Sequence, residues 1–205
     1  METKTVLFGA SGHGKVVLDT LVQIGHSVDV ICDDHPKVAL MHGVPVVTPD
    51  KVDFTKAALI FSIGNNKVRH LLAQKYSGPF LQAIHPNAII SSTVSIGEGT
   101  VVMAGAIINT DSSIGNHVIV NTGAMVDHEC HLDDFVHISP GVALAGNVSV
   151  GEGTHVGIGA CVIQGIKIGK WCTIGAGAVI LKDVPDYAVV VGNPGKIIKY
   201  NEPHV

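Results

Sequence analysis

The chain is poor in positive charge: Arg69 is the only arginine among 205 residues, and the formal net charge is -4. That balance lacks the basic footprint of a nucleic-acid or anionic-membrane binder, so neither partner is expected. Aromatic residues are scarce at 4% although hydrophobic residues reach 46%. Any core must therefore be built from small aliphatic side chains, which suits many short, closely packed strands. No run of about 18 apolar residues is available to cross a membrane as a helix. Met1 to Lys4 leads straight into a strand-like stretch instead of a signal peptide, so a cytoplasmic protein is expected. Cys32, Cys130, Cys161 and Cys172 show neither CxxC nor zinc-ribbon spacing. They read as small buried hydrophobes in a reducing compartment, with no metal implied. A chain of this length fits one domain or two.

Glycine, by contrast, is abundant at 24 residues, and beside it runs a six-residue period. From Ile90 an aliphatic residue recurs at every sixth position through Ile96, Val102, Ile108 and onward to Ile168, Ile174 and Ile180. Four residues after each comes a second small or branched side chain, as in Val94, Thr100, Ala106, Ser112, Val118, Ala124, Cys130 and Val136. An even spacing puts both on one side of a short strand, and the Gly, Asn and Asp residues between them permit a tight bend into the next strand. An amphipathic helix would need apolar residues three and four apart, which this period does not supply.

The period resembles the hexapeptide-repeat family: an aliphatic residue, a small or acidic one, two variable positions, a small or β-branched one and a last variable position. The resemblance implies a left-handed parallel β-helix, a triangular prism with three hexads per coil, stacked as a solenoid. It also implies acyl transfer, although such a prism can equally be a scaffold.

Ahead of the repeat, Thr5 to Phe8 reads as a buried strand. It is followed by Gly9-Ala-Ser-Gly12-His13-Gly14-Lys15 and an apolar helical stretch from Val16 to Ile24. A strand, glycine turn and helix let backbone N–H groups and a helix N-terminus approach a phosphate. A second strand, Ser27 to Cys32, ends in Asp33-Asp34, from which a carboxylate can meet a ribose or base; the pair could also simply start a turn. A third, Ala57 to Ile63, runs into Gly64-Asn65-Asn66 and a helix bearing Arg69. Residues 1–85 are thus expected to form a Rossmann-like βαβ unit, 86–184 the β-helix and 185–205 a tail. The glycines follow G-x-x-G-x-G, which departs from the dinucleotide fingerprint and argues against an NAD site.

The segment Phe8 to Lys15, fused to a hexapeptide prism, resembles the sialic acid O-acetyltransferase and bacillosamine N-acetyltransferase family of bacterial sugar modification. That resemblance implies an acetyl-CoA-dependent transfer to a nucleotide-linked sugar held by the N-terminal unit. It implies His128 as general base with Glu129 on its second ring nitrogen, within Asn121-Thr-Gly-Ala-Met-Val-Asp-His-Glu-Cys130. A neutral histidine suits the role because its ordinary pKa of about 6.5 leaves it basic at neutral pH. Adjacent residues of a regular strand point to opposite faces, so Glu129 reaches His128 only if a bend breaks the alternation; Asp127 is the second choice. The family places Gly12 and His13 near the sugar or its phosphates, Asp33 and Asp34 near the nucleoside, and Asn121 on the sugar, though Asn121 also reads as a turn-stabilising side chain. It places His137 against acetyl donor or acceptor, with His155 one coil beyond on the same groove or merely stacked there. Acetyl-CoA is expected along the seam between two prisms of a homotrimer, near Gly146, Ile158 and Ala176. The groove is expected to be closed by the segment Gly192-Asn193-Pro194-Gly195-Lys196, whose Gly195 replaces the usual alanine.

Amine transfer is favoured by the nucleotide-binding turn, with O-acetylation of sialic acid as the alternative. Two further readings remain: a zinc hydratase using His128, His131 and His137, and a non-catalytic nucleotide-sugar scaffold.

Overall fold

The protein is described here from a computed structural model covering residues 4–202. Met1 to Thr3, where the reading of the N-terminus as no signal peptide begins, and residues 203–205 of the tail lie outside the described residues. Among the described residues no helix is long and apolar enough to cross a membrane.

The N-terminal unit is a sheet of β1 (Lys4–Phe8), β2 (Val30–Cys32), β3 (Leu40–Met41), β4 (Val44–Val47) and β5 (Ala57–Phe61), in the order β3-β4-β2-β1-β5. β1 pairs in parallel with β2 and β5. The α1 helix (Gly12–Gln23) connects β1 to β2, and α2 (Asn66–Lys75) follows β5. Leu7, Val17, Leu18, Leu21, Ile31 and Ile60 close the core between sheet and helix. The helix begins at Gly12, not Val16, so the glycine turn supplies its first turn and carries His13 on it. The second strand is shorter than its apolar pattern: Asp29 N–H bonds Thr5 O, and strand pairing starts with Val6 opposite Val30. The third ends at Phe61, because the Ser62 hydroxyl turns back to bond the carbonyls of Phe8 and Gly9.

From β6 (Ala83–Ile84) to β22 (Val179–Ile180) the chain is a parallel β-helix of two-residue strands joined by four-residue turns. Each strand pairs with the one 18 residues later, as Ile107 with Met125 and His137 with His155. The second residue of each strand and the fourth of each turn fill the prism with Val, Ile, Leu, Ala and Cys. The ladder starts one hexad before Ile90, with Ile84 packed partly against this core. The third turn residue repeatedly takes positive φ, as in Gly105, Asp111, His117, Glu129, Phe135 and Trp171, which is how two residues of chain turn each corner. β23 (Ala188–Val191) adds in parallel to β21 (Thr173–Ile174), and β24 (Lys196–Tyr200) folds back antiparallel on β23.

The first residue of each strand points outward, and its chemistry differs by face. One face presents Ala83, Val101, Ile119, His137, His155 and Thr173 in register; Ala83, Val101 and Met103 join the α1 core, so the N-terminal unit covers this face. A second presents Ser95, Ser113, His131, Ser149 and Lys167. The third presents Ile89, Ile107, Met125, Ala143, Cys161 and Val179. That third face is apolar, with Ile89 65% and Met125 44% exposed.

Candidate functional site

His128 stands on the corner between the apolar and polar faces, in the turn joining β13 (Met125–Val126) to β14 (His131–Leu132). Glu129 is the positive-φ residue of that turn, at 59°. This conformation breaks the strand alternation, and the Glu129 carboxylate accepts from His128 Nδ1 at 3.0 Å. In the neutral form of the imidazole this contact puts the proton on Nδ1 and leaves Nε2 as a lone-pair acceptor. Asp127 is engaged elsewhere: its Oδ1 accepts from Asn109 Nδ2 at 2.8 Å and from His128 N–H at 2.9 Å. Those two bonds, the Asn109 one first, hold its carboxyl below the usual range. Gly146, one coil on, lies under the His128 ring, which occupies the space a side chain at 146 would need. Beside this corner a groove of about 450 Å³ opens on the apolar face, lined by Ile107, Met125, Asp127, Cys161 and Gln164 among others.

The glycine turn builds a second cluster. Gly9 has φ of 120° and is crowded by Ser62 and Ile63, and Gly14 packs against the Gly9 carbonyl. Gly12 meets nothing within 4 Å, so the protein's own packing does not require its missing side chain. Ser11 caps α1 without a side-chain hydrogen bond, which leaves first-turn amides available to an anion. His13 Nε2 is buried with no partner, and burial, with Arg69 adding to it, lowers its pKa to about 4. Asp33 is committed to shaping the turn, since its two oxygens accept from the N–H groups of Ala10 at 2.8 Å and His35 at 2.9 Å. Asp34 is exposed and takes no part in that bonding.

On the covered face His13 and His137 have ring centroids 6.4 Å apart, and His137 stacks on His155 at 4.7 Å. His137 Nδ1 lies 3.2 Å from Gly64 O, and Asn121 Nδ2 lies 3.1 Å from His137 Nε2. Burial first, then His155 and Arg69, push His137 down to about 3, and burial likewise lowers His155. Both rings are neutral at neutral pH. Asn121 also serves its turn, its Oδ1 accepting from Thr122 N–H at 2.9 Å. His155 pairs with the Ser139 hydroxyl at 2.8 Å.

The expected donor-groove residues do not meet within one chain. Gly146 shares the His128 corner, whereas Ile158 and Ala176, both exposed, occupy the corner between the covered and apolar faces. Asn193 is exposed and joined to Pro194 by a cis peptide. Pro194, Gly195 and Lys196 line a second groove, of about 410 Å³, at the end of the prism, where Lys182 adds a second ammonium. Gly195 is closely packed: a Cβ there would lie 2.9 Å from Ile180 Cδ1 and 3.0 Å from Val179 O. The residues missed in the sequence are Gly64, Asn66 and Arg69, which join the N-terminal unit to the covered face. A lone arginine within a helix was the available signal. His128, His131 and His137, the set a hydratase would use, sit on a corner, the polar face and the covered face, each with separate partners.

Comparison with known proteins places these features in a family. Residues 4–76 match the PglD N-terminal domain and residues 147–182 the bacterial transferase hexapeptide, six repeats. UDP-N-acetylbacillosamine N-acetyltransferase of Bacillus subtilis (strain 168) is 40% identical over 108 residues, 48% of this chain; the match spans only half the length of that relative, 50%. A histidine-to-asparagine variant of perosamine N-acetyltransferase from Caulobacter crescentus, in complex with CoA and GDP-perosamine, superposes with a TM-score of 0.90 at 42% identity. That superposition covers 96% of this chain and 97% of the other. The acetyltransferase domain of PglB from Neisseria gonorrhoeae FA1090, in complex with acetyl coenzyme A, superposes at 0.88 with 39% identity, covering 97% and 100%. With identity at this level over nearly the whole length of both chains, the protein belongs to the family of hexapeptide-repeat sugar acetyltransferases with a PglD-type N-terminal domain.

Proposed function

We propose that the protein is an acetyl-CoA-dependent N-acetyltransferase acting on the 4-amino group of a nucleotide-linked amino-deoxy sugar. The observation that carries the reading is the His128–Glu129 contact of 3.0 Å on an open corner, with Nε2 unengaged by it. In the proposed reaction the neutral amine attacks the thioester carbonyl of acetyl-CoA and His128 Nε2 accepts the proton the nitrogen loses. The tetrahedral intermediate then collapses with CoA thiolate as leaving group. Glu129 fixes the tautomer and stabilises the imidazolium. The relatives support the substrates: the perosamine enzyme was captured with CoA and GDP-perosamine, and the PglB domain with acetyl coenzyme A. Replacement of a histidine in two of the perosamine enzyme structures accords with histidine chemistry.

The nucleotide sugar is assigned to the glycine turn. First-turn amides of α1 and the open approach over Gly12 take the phosphates, the unpartnered His13 Nε2 takes a hydroxyl or phosphate oxygen, and Asp34 takes the nucleoside. The acceptor end then lies near Asn121 and His137. These residues and His128 stand on different edges of one prism, so the site is proposed to be completed by a neighbouring copy in a homotrimer packed through the apolar face. Acetyl-CoA would run in the seam, with Gly146 on one wall, Ile158 and Ala176 on the other, and Asn193, Pro194 and Lys196 toward its phosphates.

The test follows release of free CoA thiol from acetyl-CoA with UDP-, GDP- and dTDP-linked 4-amino-4-deoxy sugars and, separately, with sialic acid. Turnover of one sugar, reduced about a hundredfold or more in His128→Ala with ligand affinities retained, is the expected result. Turnover of sialic acid alone would move the acceptor to a hydroxyl, and unaltered turnover in His128→Ala would remove the assigned base.

A further inference from the structure

Among the described residues Arg69 is the largest fully buried side chain, at 1% exposure, and none of their carboxylates pairs with it. Its guanidinium is satisfied by oxygen dipoles instead. Nε donates to His117 O at 2.8 Å, Nη1 to Ile63 O at 2.8 Å, and Nη2 to Phe135 O at 2.8 Å and Asn66 Oδ1 at 3.1 Å. Asn66 Nδ2 completes the set by donating to Gly153 O at 3.0 Å. The carbonyls of residues 117, 135 and 153 belong to three successive coils at one corner, where all three residues have positive φ. Two side chains from the N-terminal unit thus read the pitch of the β-helix, and only a planar fork can span two coils and its own loop at once. A buried cation without a counter-charge is costly to keep, so its retention calls for a use.

The loop held this way, Ile63 to Asn66, contains Gly64, whose carbonyl faces His137 Nδ1. A carbonyl can only accept, so Nδ1 carries the proton. Asn121 Oδ1 is taken by Thr122 N–H, so its Nδ2 faces His137 and donates to Nε2. The direction of the whole chain follows, from Gly64 through the imidazole to the Asn121 amide. We infer that Arg69 is a positioning residue that clamps loop 63–66 onto three coils, so that Gly64 holds His137 as the Nδ1–H tautomer and His137 aims the Asn121 amide at the acceptor sugar. His137 is then a relay with both nitrogens committed, and the second N–H of Asn121 is the group left for the ligand. The charge of Arg69 acts in the same sense, since it contributes to keeping His13, His117, His137 and His155 unprotonated.

The catalytic consequence rests on the proposed acetyl transfer; the tautomer does not, and the experiment reads both. Imidazole ¹⁵N spectra of histidine-labelled protein at pH 7 report each ring's tautomer, with His137→Gln used for assignment. The expected wild-type result is Nδ1–H for His137, against the Nε2–H form that free imidazole side chains favour. Arg69→Met and Arg69→Lys are expected to shift it toward Nε2–H. With the sugar that is turned over, both variants are expected to lose about a hundredfold in kcat/KM for the sugar, as for a remote misplacement of an acceptor group, while KM for acetyl-CoA stays within about threefold. Arg69→Lys keeps the cation and carries the test if Arg69→Met fails to fold. An Nε2–H ring in the wild type, or an unchanged tautomer in the folded variants, overturns the proposal whatever the kinetics show. Absence of turnover with every sugar in the wild type counts against the proposed function alone, because the spectra still decide the clamp.

Discussion

The apolar and polar faces of the prism share one backbone, one 18-residue register and one kind of interior, yet differ in a single residue per coil. Ile89, Ile107, Met125, Ala143, Cys161 and Val179 point from one; Ser95, Ser113, His131, Ser149 and Lys167 from the other. The fold needs neither set, because the core is closed by the other residues of each hexad. The difference therefore speaks of what lies outside the prism. A continuous apolar stripe invites a partner surface, whereas the polar face is self-sufficient, as in the hydrogen bond of His131 Nε2 to Asp133 at 2.8 Å. His128 stands on the edge where the two meet, at the rim of the proposed subunit interface.

Substitutions break this comparison in graded ways. The largest effect is expected from Met125→Glu: an unpaired carboxylate in a subunit interface costs several kcal/mol, so light scattering should report monomers and acetyl transfer should be abolished. Glu129→Gln should keep the assembly intact and lower kcat by about ten- to a hundredfold through loss of the charge that stabilises the imidazolium. Gly146→Ala should push the His128 ring from its seat and reduce kcat/KM by about tenfold, with little change in melting temperature. Ser149→Lys, on the polar face, should change stability by less than about 0.5 kcal/mol and leave size and turnover unaltered.

Acidity probes the covered face instead. His13, His117 and His137 are held at about 4, 4 and 3 in the folded protein, mainly by burial. Each folded value lies below the ordinary one, so the unfolded chain binds more protons in the interval and stability rises with pH. The loss on acidification begins near pH 6.5 and continues down to about 4 for His13 and His117 and about 3 for His137, at most about 2 kcal/mol per histidine by pH 5. Melting curves of the wild type should show this decline, and His117→Phe, which keeps the stacking on Phe135, should reduce it.

The prism was legible because its period is arithmetic: a residue every sixth position admits one packing, and even Ile84 follows it. The strand, glycine turn and helix were legible for their punctuation, although the start of α1 was not, since glycines at 12 and 14 conceal a first turn that tertiary contacts stabilise. At the site, family resemblance pointed to His128, but its contact with Glu129 depends on a positive φ that no pattern of side chains announces. Asp33, expected near the nucleoside, also braces the turn through Ala10 N–H and His35 N–H, a second task that no sequence pattern separates from the first because carboxylates suit both. Of the Arg69 clamp only the lone arginine in its helix was legible: three of its four acceptors are backbone carbonyls, which every residue has.

In the proposed trimer each site is assembled from two chains, with His128 from one and Asn121 from its neighbour. The most direct test mixes His128→Ala and Asn121→Ala proteins, each with little activity alone, under conditions that exchange subunits. Random heterotrimers would contain intact sites at about a quarter of the positions, so recovery of about a quarter of wild-type turnover is the predicted result. Exchange proven by mass, with activity no greater than the sum of the two parents, would show that both residues act within one chain and would rule out a site shared between subunits.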